Sequence, residues 1–255
     1  LHKTTVREVN FLNARTHLRL GAIAEAKEAI FTALKQDSQS IQLLSLLVEI
    51  EIASGDYSEA HRLAQQLLGE NEALARQLLG NIATKKNDWA GALMQYQTSW
   101  DLTPNDSTGE KLYSTLAQQT TEKANSFLQT WLAKIPNSIS ANMILARDFL
   151  VAKDYTPAIQ VMEKIRTLQP NNPVNLNNLA WALSQTGNNK ALSVAEKAAQ
   201  LSPKDPNILD TYGWILFHSN QPQLAEQTLI KALELSPENK AIKQHLDTIR
   251  SAKPS

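Results

Sequence analysis

The chain says the same thing about every 33 residues. Residues 181–205 read "WALSQTGNNKALSVAEKAAQLSPKD" and residues 214–239 read "WILFHSNQPQLAEQTLIKALELSPEN". Each opens on Trp, crosses a polar turn, runs through Ala, Leu, Glu and Lys, and stops at Ser-Pro. The register extends well beyond this pair. Prolines stand at Pro104, Pro136, Pro170, Pro203 and Pro237, with spacings of 32 to 34. Alanines stand at Ala26, Ala60, Ala92, Ala124, Ala158, Ala191 and Ala225, each 32 to 34 residues after the last. A period of this length marks short units that bury their apolar faces only against neighbours. It divides the chain into units at about 7–40, 41–72, 73–104, 105–138, 139–172, 173–205 and 206–239.

Each unit reads as two helices joined by a tight turn. Strand-like alternation is missing, glycine is scarce at 8 residues, and Ala, Leu, Gln, Glu and Lys dominate. In the last unit the first helix carries Leu209, Tyr212, Gly213 and Leu216 on one face, and the turn spans 219–222. The second helix carries Ala225, Leu229 and Ala232 and ends before Pro237, which has no N–H to donate and clashes with the preceding turn. The registered alanine is expected where the second helix crosses the first. A small residue of the first helix, at Ala14, Gly80, Ala146, Ala180 and Gly213, is expected to face it. After the last unit, residues 240–253 put Ile242, Leu246 and Ile249 on one side and charges elsewhere, the pattern of a capping helix. The final Pro-Ser is expected to fray.

These residues resemble the tetratricopeptide repeat, a 34-residue helix–turn–helix family. The resemblance is carried best by "LLGNIATKKNDWAGALMQYQTSWDLTPN" (78–105) and "TYGWILFHSNQPQLAEQTLIKALELSPEN" (211–239) and covers about 7–239. It implies one all-α domain over 1–255, a right-handed superhelical solenoid of about seven repeats with a concave groove lined by the first helix of each unit. The fourth unit departs from the pattern. Its turn lacks glycine and Leu112 stands where a small residue belongs, so it is the expected bend or weak point. The first unit has Ser38 in place of proline.

Chemistry of the catalytic kind finds no foothold. The histidines, His2, His17, His61, His218 and His245, are nowhere three or four residues apart. No nucleophile elbow, phosphate-cradling glycine loop or zinc-protease motif occurs. Cysteine is absent, which excludes disulfides and thiolate sites. The reading is therefore a non-enzyme without metal or cofactor. His17 reads as a core histidine and His218 as an exposed helix end. Formal net charge is zero, with 25 basic and 25 acidic residues, which argues against nucleic acid as a partner. No run of 18 apolar residues could span a membrane.

What remains is the groove. The family's inward positions 9 and 5 imply a partner-binding set of Arg15, Asn81, Tyr113, Arg147, Trp181 and Trp214 with Met143, Asn177 and Asp210; Gly109 also falls at position 5. Trp181 and Trp214 are expected to stack on consecutive units, with Met143 and Arg147 next along. Trp, Met and Arg are types enriched in binding interfaces. Two readings stand open: the tryptophans anchor a partner, or they pad the contact between neighbouring first helices. The chaperone-tail clamp of some family members needs Lys at position 5, and none is present.

The most direct expectation is a non-catalytic scaffold that binds a partner peptide or helix in its groove. The alternative is a polysaccharide-binding module using the same tryptophans. Residues 175–220, with "NNLAW" and "LDTYGW", resemble the tetratricopeptide lipoproteins of bacterial exosortase/PEP-CTERM systems, which are associated with exopolysaccharide production and surface-protein sorting. That resemblance implies a periplasmic or outer-membrane-associated protein, its lipidated Cys outside this segment; the alternative compartment is the cytoplasm. The start at Leu1 suits a fragment or a processed form.

Overall fold

The structure is a computed structural model that describes residues 6–252. Among the described residues the regular structure is helical throughout, with no strand. Seven hairpins follow in order: α1 (Val6–Arg19) with α2 (Ile23–Leu34), α3 (Ile41–Ser54) with α4 (Tyr57–Gln66), α5 (Glu72–Lys85) with α6 (Trp89–Leu102), α7 (Asp106–Ala117) with α8 (Thr121–Lys134), α9 (Ile139–Val151) with α10 (Tyr155–Leu168), α11 (Pro173–Gln185) with α12 (Ala191–Leu201), and α13 (Pro206–His218) with α14 (Pro222–Leu235). A final helix, α15 (Lys240–Ser251), follows them, and its apolar Ile242, Leu246 and Ile249 are buried. The terminal Pro-Ser and the last residue of the expected cap, at 253–255, lie outside the described residues.

Local chemistry sets the boundaries. From α6 to α14 the second helix of each hairpin stops two residues short of one of the registered prolines. Polar side chains then open the next helix: Asn105, Ser138, Asn172, Asp205 and Asn239 each accept a hydrogen bond from a backbone N–H of the first turn. Between the two helices of a hairpin the chain reverses through one left-handed residue. Gly21, Gly55, Asn87, Lys153, Gly187 and Asn220 serve six hairpins, with φ between 58° and 84°. The α7–α8 turn has none and instead uses Thr120 as an N-cap for Lys123 N–H at 3.2 Å.

All seven registered alanines are buried, as are Ala14, Ala146 and Ala180 of the first helices. At Gly213 an added Cβ would lie 2.8 Å from Leu229 Cγ, so helix contact there depends on the missing side chain. The fourth hairpin solves the crossing differently. Gly109, placed by its register in the groove, is buried under Trp131, and a Cβ on it would meet Trp131 Cε2 at 2.6 Å. Leu112 is fully buried nearby. The small residue has moved one turn up the first helix because the second helix brings an indole to the crossing. Trp131 packs edge-on to Trp100 at 6.0 Å and donates Nε1–H to Asp106 Oδ1 at 3.2 Å, which satisfies its one donor.

Helix contacts group into two compact units, Leu1–Pro136 and Asn137–Ser255, so the division falls at the end of the fourth hairpin. In the first unit the largest buried cluster runs from Ala14 to Ile82. It holds a buried ion pair: Glu51, 4% exposed, accepts from Lys27 Nζ at 2.6 Å and from Ser54 Oγ at 3.1 Å. In the second unit a continuous apolar core runs from Ala146 to Ile249.

Candidate partner-binding surface

In each unit first helices pack beside first helices, α1 on α3 and α3 on α5, then α11 on α13 and α13 on α15. The sequence-predicted set is divided between the units. Arg15, Asn81 and Tyr113 belong to the first, and Met143, Arg147, Asn177, Trp181, Asp210 and Trp214 to the second.

In the first unit Arg15 on α1 is exposed and Tyr113 on α7 is half-buried. Asn81 is half-buried and its oxygen is engaged within the fold. Its Oδ1 accepts from Tyr96 Oη at 2.9 Å, and Tyr96 Oη also lies 3.0 Å from Thr84 Oγ1. This network ties α5 to α6, and burial of the phenol raises its pKa above the ordinary value. Glu49 lies on α3. Its side chain meets solvent, yet desolvation raises its carboxyl above the usual range, against the opposing pull of Lys111 first and Arg15 second. Lys111 carries the stronger pull, although sequence position gave no reason to single it out.

In the second unit the pairs Met143/Arg147, Asn177/Trp181 and Asp210/Trp214 are each four apart, so each shares a helix face. Arg147 is exposed and its guanidinium reaches Asp148 at 2.8 Å; Met143 and Asn177 are half-buried. Trp181 and Trp214 are both half-buried, but they do not stack on each other. Trp214 instead lies on His245 of α15 with ring centroids 4.3 Å apart and planes 29° apart, and meets the edge of His218 at 4.7 Å. Among the described residues Trp181 has no aromatic ring partner. Asp210 is half-buried and its Oδ1 lies 2.8 Å from His245 Nδ1, which ties it to the last helix. His245 was missed by the sequence reading. It follows Asp210 by 35 residues, one repeat, and counting α15 as the first helix of an eighth hairpin would have put the two side by side.

His17 is half-buried rather than enclosed in the core, and His218 ends α13 exposed, as expected. Among the described residues no group of three or more His, Cys, Asp or Glu could hold a metal, and no helix is long and apolar enough to cross a membrane.

Comparison with known proteins follows this geometry. Family models described as tetratricopeptide repeat match residues 45–107 and 207–239. No curated protein matches the chain. Among solved structures, a chain of the APC/C hetero-tetramer Cut9-Hcn1 is similar at TM-score 0.63 and 17% identity, covering 95% of this chain and 49% of that one. The present chain thus spans about half the length of that relative. The C-terminal part of a tetratricopeptide-repeat protein from Cytophaga hutchinsonii is similar at TM-score 0.57 and 18% identity, over 92% of this chain and 99% of that one. MamA is similar at TM-score 0.52 and 21% identity, over 67% and 94%. Residues 45–107 and 207–239, one segment in each unit, thus match the tetratricopeptide repeat, and the all-helical fold is similar to that of these structures.

Proposed function

We propose that this protein is a non-catalytic scaffold whose second unit grips a segment of a partner protein along α11, with Trp181 as the anchor. The observation that carries the reading is the state of Trp181. It is half-buried on a first helix, has no ring partner among the described residues, and shares its face with Asn177. An indole in that state presents part of its apolar surface with little rotamer entropy left to lose, and Trp is a type enriched among interface hot spots. Trp214 has a different part. Its stacking on His245 favours the padding role weighed for it, and it borders the anchor instead of replacing it.

The proposed setting is a bacterial envelope system for export or exopolysaccharide, with the protein periplasmic or outer-membrane-associated. This finer reading rests on the resemblance of residues 175–220, and cell fractionation tests it; recovery in the cytoplasm alone would reject it.

The binding reading is tested with wild type, Trp181→Ala and Trp214→Ala as baits in a cell-envelope extract, each checked for folding by circular dichroism. A captured partner is then purified and titrated. A dissociation constant near micromolar, about 8 kcal/mol, is expected for a single segment. Trp181→Ala should weaken it by about tenfold or more. Equal affinity for wild type and folded Trp181→Ala would move the interface off α11.

A further inference from the structure

A cleft of about 360 Å³ opens in the second unit between the α11–α12 turn and the end of α13. That volume is within the range of small-ligand sites. Its wall is polar and uncharged. Ser184, Gln185, Asn188, Asn189 and Ser219 supply amides and hydroxyls, and Trp214 and His218 supply the rings. Four further clefts on the protein each carry formal charges: Lys240 with Asp247, Lys204 with Asp205, Glu196 with Lys231, and Glu110 with Lys111. In a chain with 20% charged residues, a wall without carboxylate, ammonium or guanidinium selects its ligand by exclusion.

A charged ligand would find no carboxylate, ammonium or guanidinium there to pair with. A purely apolar ligand would cover amides and leave them unpaired. A neutral molecule with many hydroxyls and one apolar face meets both conditions, because amides donate and accept at once and an indole covers C–H faces. The polar groups are also placed to act. Ser184 Oγ donates to Trp181 O at 2.7 Å and accepts from Gln185 Nε2 at 3.5 Å, and Asn188 Oδ1 accepts from Lys190 N at 3.0 Å, which leaves the Asn188 NH2 to donate. Asn189 and Ser219 make no side-chain hydrogen bond among the described residues. The ring of Trp214 is braced by stacking on His245 at 4.3 Å and by a T-shaped contact with His218 at 4.7 Å.

We propose that this cleft is a binding site for a neutral pyranose unit of a saccharide, separate from the protein-binding face at Trp181.

The test uses the whole protein with cellotetraose, maltotetraose and chitotetraose as neutral probes and tetragalacturonate as the charged control. Binding is read from the indole Nε1–H resonance of Trp214, assigned with Trp214→Phe. Saturable shifts with at least one neutral probe, and none with the charged control, are expected. Gln185→Ala and Asn189→Ala alter exposed side chains and should each weaken binding severalfold while thermal unfolding stays unchanged. Trp181→Ala should leave saccharide binding intact, so the two sites fail or stand separately. No saturation by any neutral probe at about 10 mM would overturn the proposal. So would saturation only by the charged probe, or displacement of the probes by a Ser/Gln peptide that binds the cleft more tightly.

Discussion

Asp210 and His245, one repeat apart in sequence, meet at 2.8 Å between carboxylate Oδ1 and imidazole Nδ1, and the imidazole so held is the surface on which Trp214 lies. A single histidine therefore joins the last helix to the last hairpin by a hydrogen bond and a ring contact. His245→Ala removes both. The expected cost is about 1–2 kcal/mol, from the lost bond and the lost ring stacking together. Hydrogen exchange at the amides of Ile242, Leu246 and Ile249 should quicken accordingly. Unchanged protection would mean that the apolar face of α15 and the Arg250–Glu226 contact at 2.9 Å hold the helix alone.

Two glycines make opposed demands at helix crossings. Gly109→Ala pushes a Cβ into Trp131, which is fully buried and braced by Trp100. Overpacking of about 1–3 kcal/mol outweighs the gain of about 1 kcal/mol in helix propensity. At Gly213 the Cβ meets Leu229 at 2.8–2.9 Å and Ala225 O at 3.3 Å, so one buried leucine, rather than an indole braced by a second indole, has to shift. Urea midpoints should fall further for Gly109→Ala than for Gly213→Ala, and the reverse order would contradict the role given to Trp131.

Lys153 holds φ at 58°, a conformation that costs an ordinary L-residue about 1–2 kcal/mol. Lys153→Gly should raise stability by up to about 1 kcal/mol once the flexibility of the unfolded glycine is deducted. Gly55, at φ 84° with open space around it, should show the opposite sign on change to Ala, for backbone reasons alone. Thermal melts of the two variants provide the comparison.

Removing Lys27 strands Glu51. Lys27→Met leaves a carboxylate that is 4% exposed with Ser54 as its remaining side-chain donor, and about 2–3 kcal/mol should be lost. The double variant Lys27→Met/Glu51→Leu should recover most of it, because two apolar chains replace a desolvated pair. Failure of the double variant to recover would show that the pair itself stabilises the fold.

Glu49 should make the first unit less stable as pH rises. Its folded-state pKa is raised by desolvation, so the folded state holds the proton more tightly than the unfolded chain. Below the ordinary carboxylate range both states are protonated and the group contributes nothing. Between the ordinary value and the raised one, the penalty for ionising a partly desolvated carboxyl appears, and above that it is complete. Carbon-13 titration of the Glu49 carboxyl should show a midpoint above 4.5, and Glu49→Gln should flatten this segment of the stability curve.

The hairpins were legible because their signals are local. A proline ends a helix wherever it stands, and an alanine that must fit a crossing recurs at every crossing. The inward positions 5 and 9 also fell on first helices as expected. Contacts that depend on which residue lies opposite were not legible. Nothing at Asn81 announced that Tyr96 of the next helix donates to its oxygen, and nothing at Asp210 announced the imidazole of His245 one repeat later. Gly109 was read by register as a groove residue, and its burial depended on an indole in the following helix. The cleft beside Trp214 draws on the end of one first helix, a turn and the end of the next first helix, so no single motif announced it.

The exchange of sizes between Gly109 and Trp131 bears on recombination. The third hairpin makes a similar exchange, Gly80 lying under Tyr96, and Gly213 lies against Leu229 in the seventh, whereas the fifth buries a small residue on each helix, Ala146 and Ala158, and its helices could be traded with a smaller volume penalty. The helices of the fourth hairpin travel only as a couple. In a library that shuffles first and second helices among the seven hairpins, α8 joined to a first helix with a side chain at the Gly109 position would clash, while α7 joined to a second helix without the indole would enclose a void. Survivors of such a shuffle should inherit α7 and α8 together.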